Sequence, residues 1–317
     1  MRSGLVLAAA LALTACAQPV TLPASPVPAG PGITIVAKAV ALNPQDPSQD
    51  RVGAFRYAGG LVLSSPDTAR FHGLSDLAIG AGGAVTTVSD EGDLIKARLV
   101  LDKTGRLVGL TDGRVSALTN PDGKPLQGKQ EGDSEGLALL RNGDLLVSFE
   151  QRHRIWLYPA AGGPPRPAPM PQATFPDNAG LEALGPDAAA GADAYVAGAE
   201  ESGQTWTCRI STTCAPGPVI AKPPEFGLVA VARLPQGRTA WVLRAWDPVR
   251  GNRVSLVVRD DKTEVARMDL ARPLTIDNFE AVAAVPAKDG TIRFYLLSDD
   301  NFQSSQRTLL LAFDWKP

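Results

Sequence analysis

DSEGLALLRNGDLLVSFEQ, residues Asp133 to Gln151, reads as two short strands folded around a tight turn. Each apolar run is too short for a stable helix, and LLVSF is rich in branched and aromatic residues. Between them stands Asn142-Gly143-Asp144, where glycine supplies the positive φ that a hairpin turn needs. Four other segments repeat the plan of a small or acidic start, a strand, a turn, a second strand and a polar cluster. They are GLSDLAIGAGGAVTTVSDEGD from Gly73, NAGLEALGPDAAAGADAYVAGAEES from Asn178, FGLVAVARLPQGRTAWVLRAWD from Phe226 and DNFEAVAAVPAKDGTIRFYLLSDDN from Asp277. Aligned, they put Ser75, Glu135, Glu182, Val229 and Glu280 at one equivalent position. Intervals of roughly 47 to 60 residues are those of four-stranded propeller blades.

Further strands follow the polar clusters, as in RIWLYP from Arg154, SLVVRD from Ser255 and TLLLAFDW from Thr308. Upstream, ITIVAKAV from Ile33 and FRYAGGLVLSS from Phe55 are also strand-like. The expected fold is therefore all-β: a β-propeller closed by pairing of N- and C-terminal strands, which leaves no open sheet edge. Six blades are expected, with five as the alternative. A pair of β-sandwiches is the competing fold, and the constant offset within each repeat argues against it. The Pro-rich run from Pro159 to Pro176 reads as a connector between the second and third repeats.

The chain has 317 residues, with 31 basic against 33 acidic side chains. Such balance gives no reason to expect nucleic acid as a partner. Met1-Arg2 and the apolar run Gly4 to Leu13 end in Leu13-Thr14-Ala15-Cys16, which resembles the lipobox of bacterial lipoproteins. The expected organisation is a signal peptide at 1–15, a lipidated Cys16 with a Pro/Ala-rich tether at 16–32, and the propeller at 33–317. The protein is then exported and meets the membrane through its lipid alone. Ala17, where an inner-membrane retention Asp could stand, favours the outer membrane, with the domain facing the periplasm. In that oxidising setting a disulfide between Cys208 and Cys214 is the expected pairing, a reactive or metal-binding thiol pair the alternative.

In a propeller the innermost strands run along the axis, so the aligned Glu135, Glu182 and Glu280 should converge. Asp76, Asp133, Asn178, Asp277 and Asn278 stand beside them, and Ser89-Asp90, Glu150, Glu200-Glu201, Asp299, Asp300 and Asn301 end second strands. Converging carboxylates repel one another unless a cation neutralises them. Oxygen donors without His or Cys point to Ca²⁺, or Mg²⁺, rather than zinc. The plainer reading of any one of these acids is a turn former. Arg244 falls where the fourth repeat would place an acid, and either pairs with carboxylates or holds an anionic group of a substrate. Gly132-Asp133-Ser134-Glu135-Gly136 fits the letters of a nucleophile elbow but lies in a hairpin, not at a strand-to-helix turn. The two histidines, His72 and His153, have no evident orienting partner for a relay.

GLSDL…VSDEGD, DSEGLA, NAGLEAL and DNFEAVA…LLSDDNFQSSQRTLLLAF together resemble the phytase-like domain family, labelled by an esterase-like activity of phytase. The resemblance implies a propeller, hydrolysis of ester or phosphoester bonds, and calcium. It implicates Asp133, Glu135, Glu150, Asn178, Glu182, Asp277, Asn278, Glu280, Asp299, Asp300, Asn301 and Gln306. The scattered Arg and Lys make inositol hexakisphosphate a poor expected substrate. Two functions stay open. One is a metal-assisted hydrolase of a small ester or phosphoester, with Glu135 and Glu182 positioning water and Arg244 holding the charged end. The other is a non-catalytic, Ca²⁺-stabilised propeller that binds a glycan, a peptide or an envelope partner.

Overall fold

Each hairpin read from the sequence forms and takes its place at the inner edge of a four- to six-stranded sheet. The computed structural model describes residues 30–260 and 263–317. Cys16, the expected signal peptide and the tether up to residue 29 lie outside the described residues. Strands β1 (Val36–Ala39), β2 (Arg51–Val52) and β3 (Phe55–Ser64) come first. Blade 1 is β4 (Leu74–Ile79), β5 (Ala84–Ser89), β6 (Asp93–Leu101) and β7 (Leu107–Ala117). A short helix, α1 (Gly128–Gly132), leads into blade 2, made of β8 (Ser134–Leu139), β9 (Leu145–Phe149), β10 (Arg154–Tyr158) and β11 (Arg166–Pro167). Blade 3 is β12 (Ala183–Pro186), β13 (Ala194–Gly198), β14 (Gln204–Arg209) and β15 (Cys214–Val219). Blade 4 is β16 (Gly227–Arg233), β17 (Thr239–Asp247), β18 (Gly251–Arg259) and β19 (Glu264–Leu270). Blade 5 opens with β20 (Asn278–Pro286), β21 (Ile292–Asp299) and β22 (Leu309–Trp315).

The propeller has five blades, and the expected sixth is absent among the described residues. The reason is a shortage of strands at the C-terminus. Blade 5 has three strands of its own, and β3 pairs antiparallel with β22, Leu309 opposite Val62 and Leu310 opposite Leu61. β1 then pairs outside β3, giving the order β1-β3-β22-β21-β20. The N-terminal strands are used in closing the ring, so none remain for another blade. The Pro-rich connector also contributes more than expected, because Arg166–Pro167 is the outermost strand of blade 2.

Five apolar clusters hold the ring, one at each interface between neighbouring blades. The innermost strands pack small residues against large ones. At Gly136 a Cβ would stand 2.5 Å from Glu182 O and 2.6 Å from Leu184 Cβ of blade 3. At Gly185 it would stand 3.0 Å from Val231 O of blade 4. These glycines are thus holes for the next blade's Leu184 and Val231, and they bring the inner strands close around the axis. Cys208 and Cys214 face each other across β14 and β15 and are joined by a disulfide.

Candidate functional site

The pairing between first and second strands slips at the same place in four blades. It shifts between Leu74 and Asp76, Ser134 and Leu137, Leu228 and Ala230, and Phe279 and Ala281. Each slip is a bulge, and the residues left unpaired are Ser75, Glu135 with Gly136, Val229 and Glu280. In blade 3 the equivalent Glu182 stands just before β12. A bulge re-aims a side chain out of the sheet's alternation. Here the aligned Glu135, Glu182 and Glu280 come close enough to raise one another's pKa, while Val229 packs into the apolar cluster between blades 4 and 5.

A second ring surrounds the first. Its members stand opposite the residues two positions before each bulge: Asp90, Glu150, Glu200, Arg244 and Asp299. The pairs are Asp90 N to Gly73 O, Glu150 N to Asp133 O, Glu200 N to Gly180 O, Gly227 with Arg244, and Asn278 with Asp299. Four acids and one arginine therefore stand around three glutamates and Ser75, and in blade 4 the equivalent Val229 is part of the apolar core. Arg244 belongs to the blade in which Val229 replaces the inner acid.

The two rings are bonded unevenly. Arg244 Nη1 donates to Asn278 Oδ1 at 2.7 Å and to Glu280 Oε1, while Nη2 reaches Glu200 Oε1 at 3.3 Å. Asn278 Nδ2 donates to Glu280 Oε1 at 2.8 Å. Blades 3, 4 and 5 are thus tied through one guanidinium. Across the axis, Lys129 from α1 places Nζ 3.0 Å from Asp133 Oδ1 and 3.5 Å from Asp90 Oδ2. Ser75 Oγ donates to Asp90 Oδ1 at 2.7 Å, and Gly180 N donates to Glu150 Oε1.

Asp133, Glu135 and Glu150 can each offer an oxygen within 4.8 Å of the other two. Two oxygens bound to one Ca²⁺ at 2.3–2.6 Å are no more than about 5 Å apart, so the trio meets that bound. Asp133 is buried; its Oδ1 is engaged by Lys129 Nζ at 3.0 Å, and among the described residues its Oδ2 has no partner. A buried carboxylate with only a lysine ion pair is chemically incomplete. The donor set therefore fits a hard divalent cation.

Electrostatics point the same way. Burial raises the carboxyls of Glu135 and Glu182 well above the ordinary range, and the neighbouring acids add to the effect. Burial pushes Glu150 up to about 7 despite the Gly180 N–H, and Glu280 up to about 7 despite Arg244. Asp90 rises to about 6, again mainly through burial. Burial works against the charge on Arg244, but Glu280, Glu182 and Glu200 hold it firmly protonated. Near neutral pH the rings hold more carboxyl groups than their two cations can keep ionised.

Other expected residues fall elsewhere. Asp277 Oδ2 accepts from Arg307 Nε at 3.1 Å, beside the ring rather than in it. Asp300 binds His72 Nδ1 at 2.6 Å, Gly73 N at 3.0 Å and Thr308 Oγ1 at 2.8 Å, joining blade 5 to blade 1. Asn178 is an exposed turn residue whose Oδ1 accepts from Gln151. Asn301 is exposed and donates to Gln306 Oε1 at 2.9 Å. Ser134 Oγ donates to Ser89 O at 2.6 Å inside an interface between blades, so it is no nucleophile. Lys129 had no signal in the sequence, because it lies in a connector outside the repeats. Asp90 and Glu200 were legible as acids that end second strands, and both stand in the outer ring.

The sequence profile of the family described as Phytase-like: Esterase-like activity of phytase matches residues 69–302. No curated protein sequence matches the chain. Several solved structures are similar at low identity. The PQQ-bound aldose sugar dehydrogenase of Streptomyces coelicolor is 13% identical, with a TM-score of 0.49, covering 92% of this chain and 100% of that one. Virginiamycin B lyase from Staphylococcus aureus is 12% identical, with a TM-score of 0.40, covering 90% and 89%. The extracellular domain of a protein described as a hybrid two-component system of B. thetaiotaomicron is 14% identical, with a TM-score of 0.41, covering 81% of this chain. The chain spans 31% of the length of that last structure.

Proposed function

The chain belongs to the phytase-like family, and from that premise we propose that its axial rings form a Ca²⁺-assisted centre for hydrolysing an ester or phosphoester. The observation that carries this reading is the trio Asp133, Glu135 and Glu150, with the buried Asp133 Oδ2 lacking any partner among the described residues. These three hold the cation. When bound, it supplies Lewis acidity toward a phosphoryl or acyl oxygen. Glu182, which is buried and faces Glu200 and Arg244, positions water. Arg244 keeps Glu200 and Glu280 in place; its contacts make positioning its first role, with substrate charge reached only by exchanging a carboxylate partner. Mg²⁺ is the alternative ion. The anchored, periplasm-facing placement through Cys16 belongs to this same proposal.

The test is Glu135→Gln with Glu182→Gln, assayed on phosphoester and acyl-ester panels with Ca²⁺. Loss of at least a hundredfold in kcat in a variant that still unfolds cooperatively in chelator supports the reading; unchanged turnover rejects it. The second reading, a non-catalytic Ca²⁺-stabilised binding propeller, is favoured by the ion pairs of Arg244 and Lys129, which already satisfy part of the ring. It predicts saturable ligand binding with no hydrolysis on any panel.

A further inference from the structure

Beside the rings, at the same end of the axis, a cleft of about 810 Å³ opens between blades 4 and 5. Trp246 and Asn252 are directly opposed on β17 and β18, and both line it. Trp246 is 63% exposed, although large aromatics normally bury most of their area. The Asn252 Oδ1 is buried with no hydrogen-bond partner among the described residues. Arg272 crosses the wall, its guanidinium atoms 3.3–3.4 Å from where a Cβ on Gly251 would stand. Gly251 has φ +70°, so a side chain there would be strained as well as crowded. Among the described residues no hydrogen bond or ion pair engages that guanidinium. On the far wall, Arg307 uses Nε on Asp277 and Nη2 on Ile276 O. Asn278, which bonds Arg244 and Glu280, lines the cleft as well, so cleft and ring share a residue.

We propose that this cleft is a subsite for an anionic sugar, a sugar ring carrying a carboxylate or a phosphate. An exposed indole offers a flat apolar face to the C–H side of a sugar ring. The amides of Asn252, Gln303 and Gln306 supply donors and acceptors that a plain apolar ligand would leave unpaired. An unengaged arginine recognises a carboxylate or phosphate through two parallel bonds. The ligand would extend over Asn278 toward the acids. The proposal deepens the axial reading by naming its substrate class, and rests on it for turnover alone.

The experiment titrates the full chain with glucuronic acid, glucose 6-phosphate and glucose in the presence of Ca²⁺, followed by calorimetry and tryptophan fluorescence. Wild type should bind at least one of the two anions tenfold or more tighter than glucose. Which anion binds better assigns the substituent. Arg272→Gln should remove that preference, and Trp246→Ala should weaken all three sugars at least tenfold. Both residues are exposed, so both variants should melt as wild type does. The double variant Glu135→Gln/Glu182→Gln should keep this binding even with no turnover, which separates failure at the axis from failure in the cleft. No binding by wild type, or binding indifferent to both Trp246→Ala and Arg272→Gln, overturns the proposal.

Discussion

At Arg244 one side chain decides whether half of the ring is satisfied. Its guanidinium meets Glu200 from blade 3 and Asn278 and Glu280 from blade 5. Breaking a buried charge pair by removing one partner costs about 3–5 kcal/mol, because the other charge stays buried. Arg244→Met should therefore lower unfolding free energy by roughly that amount in urea with chelator present. Adding Glu280→Gln to the same chain should recover part of the loss, since it removes the stranded carboxylate. If the two substitutions proved additive within about 0.5 kcal/mol, the coupling would not exist. The repeat alignment located Arg244 as the substituted member of its ring. It could not locate the partners, which come from other blades. For the same reason Asn178 and Asn301, within four residues of ring acids in sequence, read as ligands. Their turns carry them to the surface, where each bonds a neighbouring glutamine.

At the scale of the strand, the bulge is what makes a site out of a repeat. Without it Glu135 would follow the alternation of β8 into a face between blades, where an unpaired carboxylate is costly. Gly136 lies in that bulge and against blade 3, with Leu184 Cβ 2.6 Å from where its own Cβ would stand. Gly136→Ala should destabilise by about 1–3 kcal/mol through overpacking. It should also weaken Ca²⁺ binding, because Glu135 and the blade 3 strand must separate. Thermal melts with and without Ca²⁺ check both effects; a neutral substitution means the interface yields. The hairpins were legible from the Asn142-Gly143-Asp144 turn and its equivalents. The bulges were not, because nothing in an apolar run marks which peptide leaves the ladder. Blade number was undecided for a related reason: strands from Ile33 to Ser65 look alike whether they close a blade or begin one.

For the whole propeller, the rings link stability to pH and to cations. Glu150 and Glu280 titrate near 7 in the folded chain against an ordinary value of 4.5, and Asp90 near 6 against 3.8. A carboxyl raised on folding binds its proton more tightly in the native state. Its contribution is therefore full below the unfolded value and is lost as pH rises through the folded one. In chelator, stability should be greatest near pH 4.5–5 and fall up to about pH 7.5. The depressed Asp300 works in the opposite sense: its bonds from His72 and Gly73 outweigh burial, and its contribution fades only in stronger acid. The melting temperature in chelator should fall over the same pH range. Calcium should reverse the trend. Protons compete for the same oxygens, so the stabilisation RT ln(1 + [L]/Kd) should be small at pH 5 and grow toward pH 7.5. Melting curves across that range, in chelator and in millimolar Ca²⁺, should thus diverge as pH rises. If stability in chelator instead climbs to pH 7.5 and Ca²⁺ adds nothing, Arg244 and Lys129 suffice to hold the rings ionised. The acids would then be a structural network, and the hydrolytic centre would have no cation to hold.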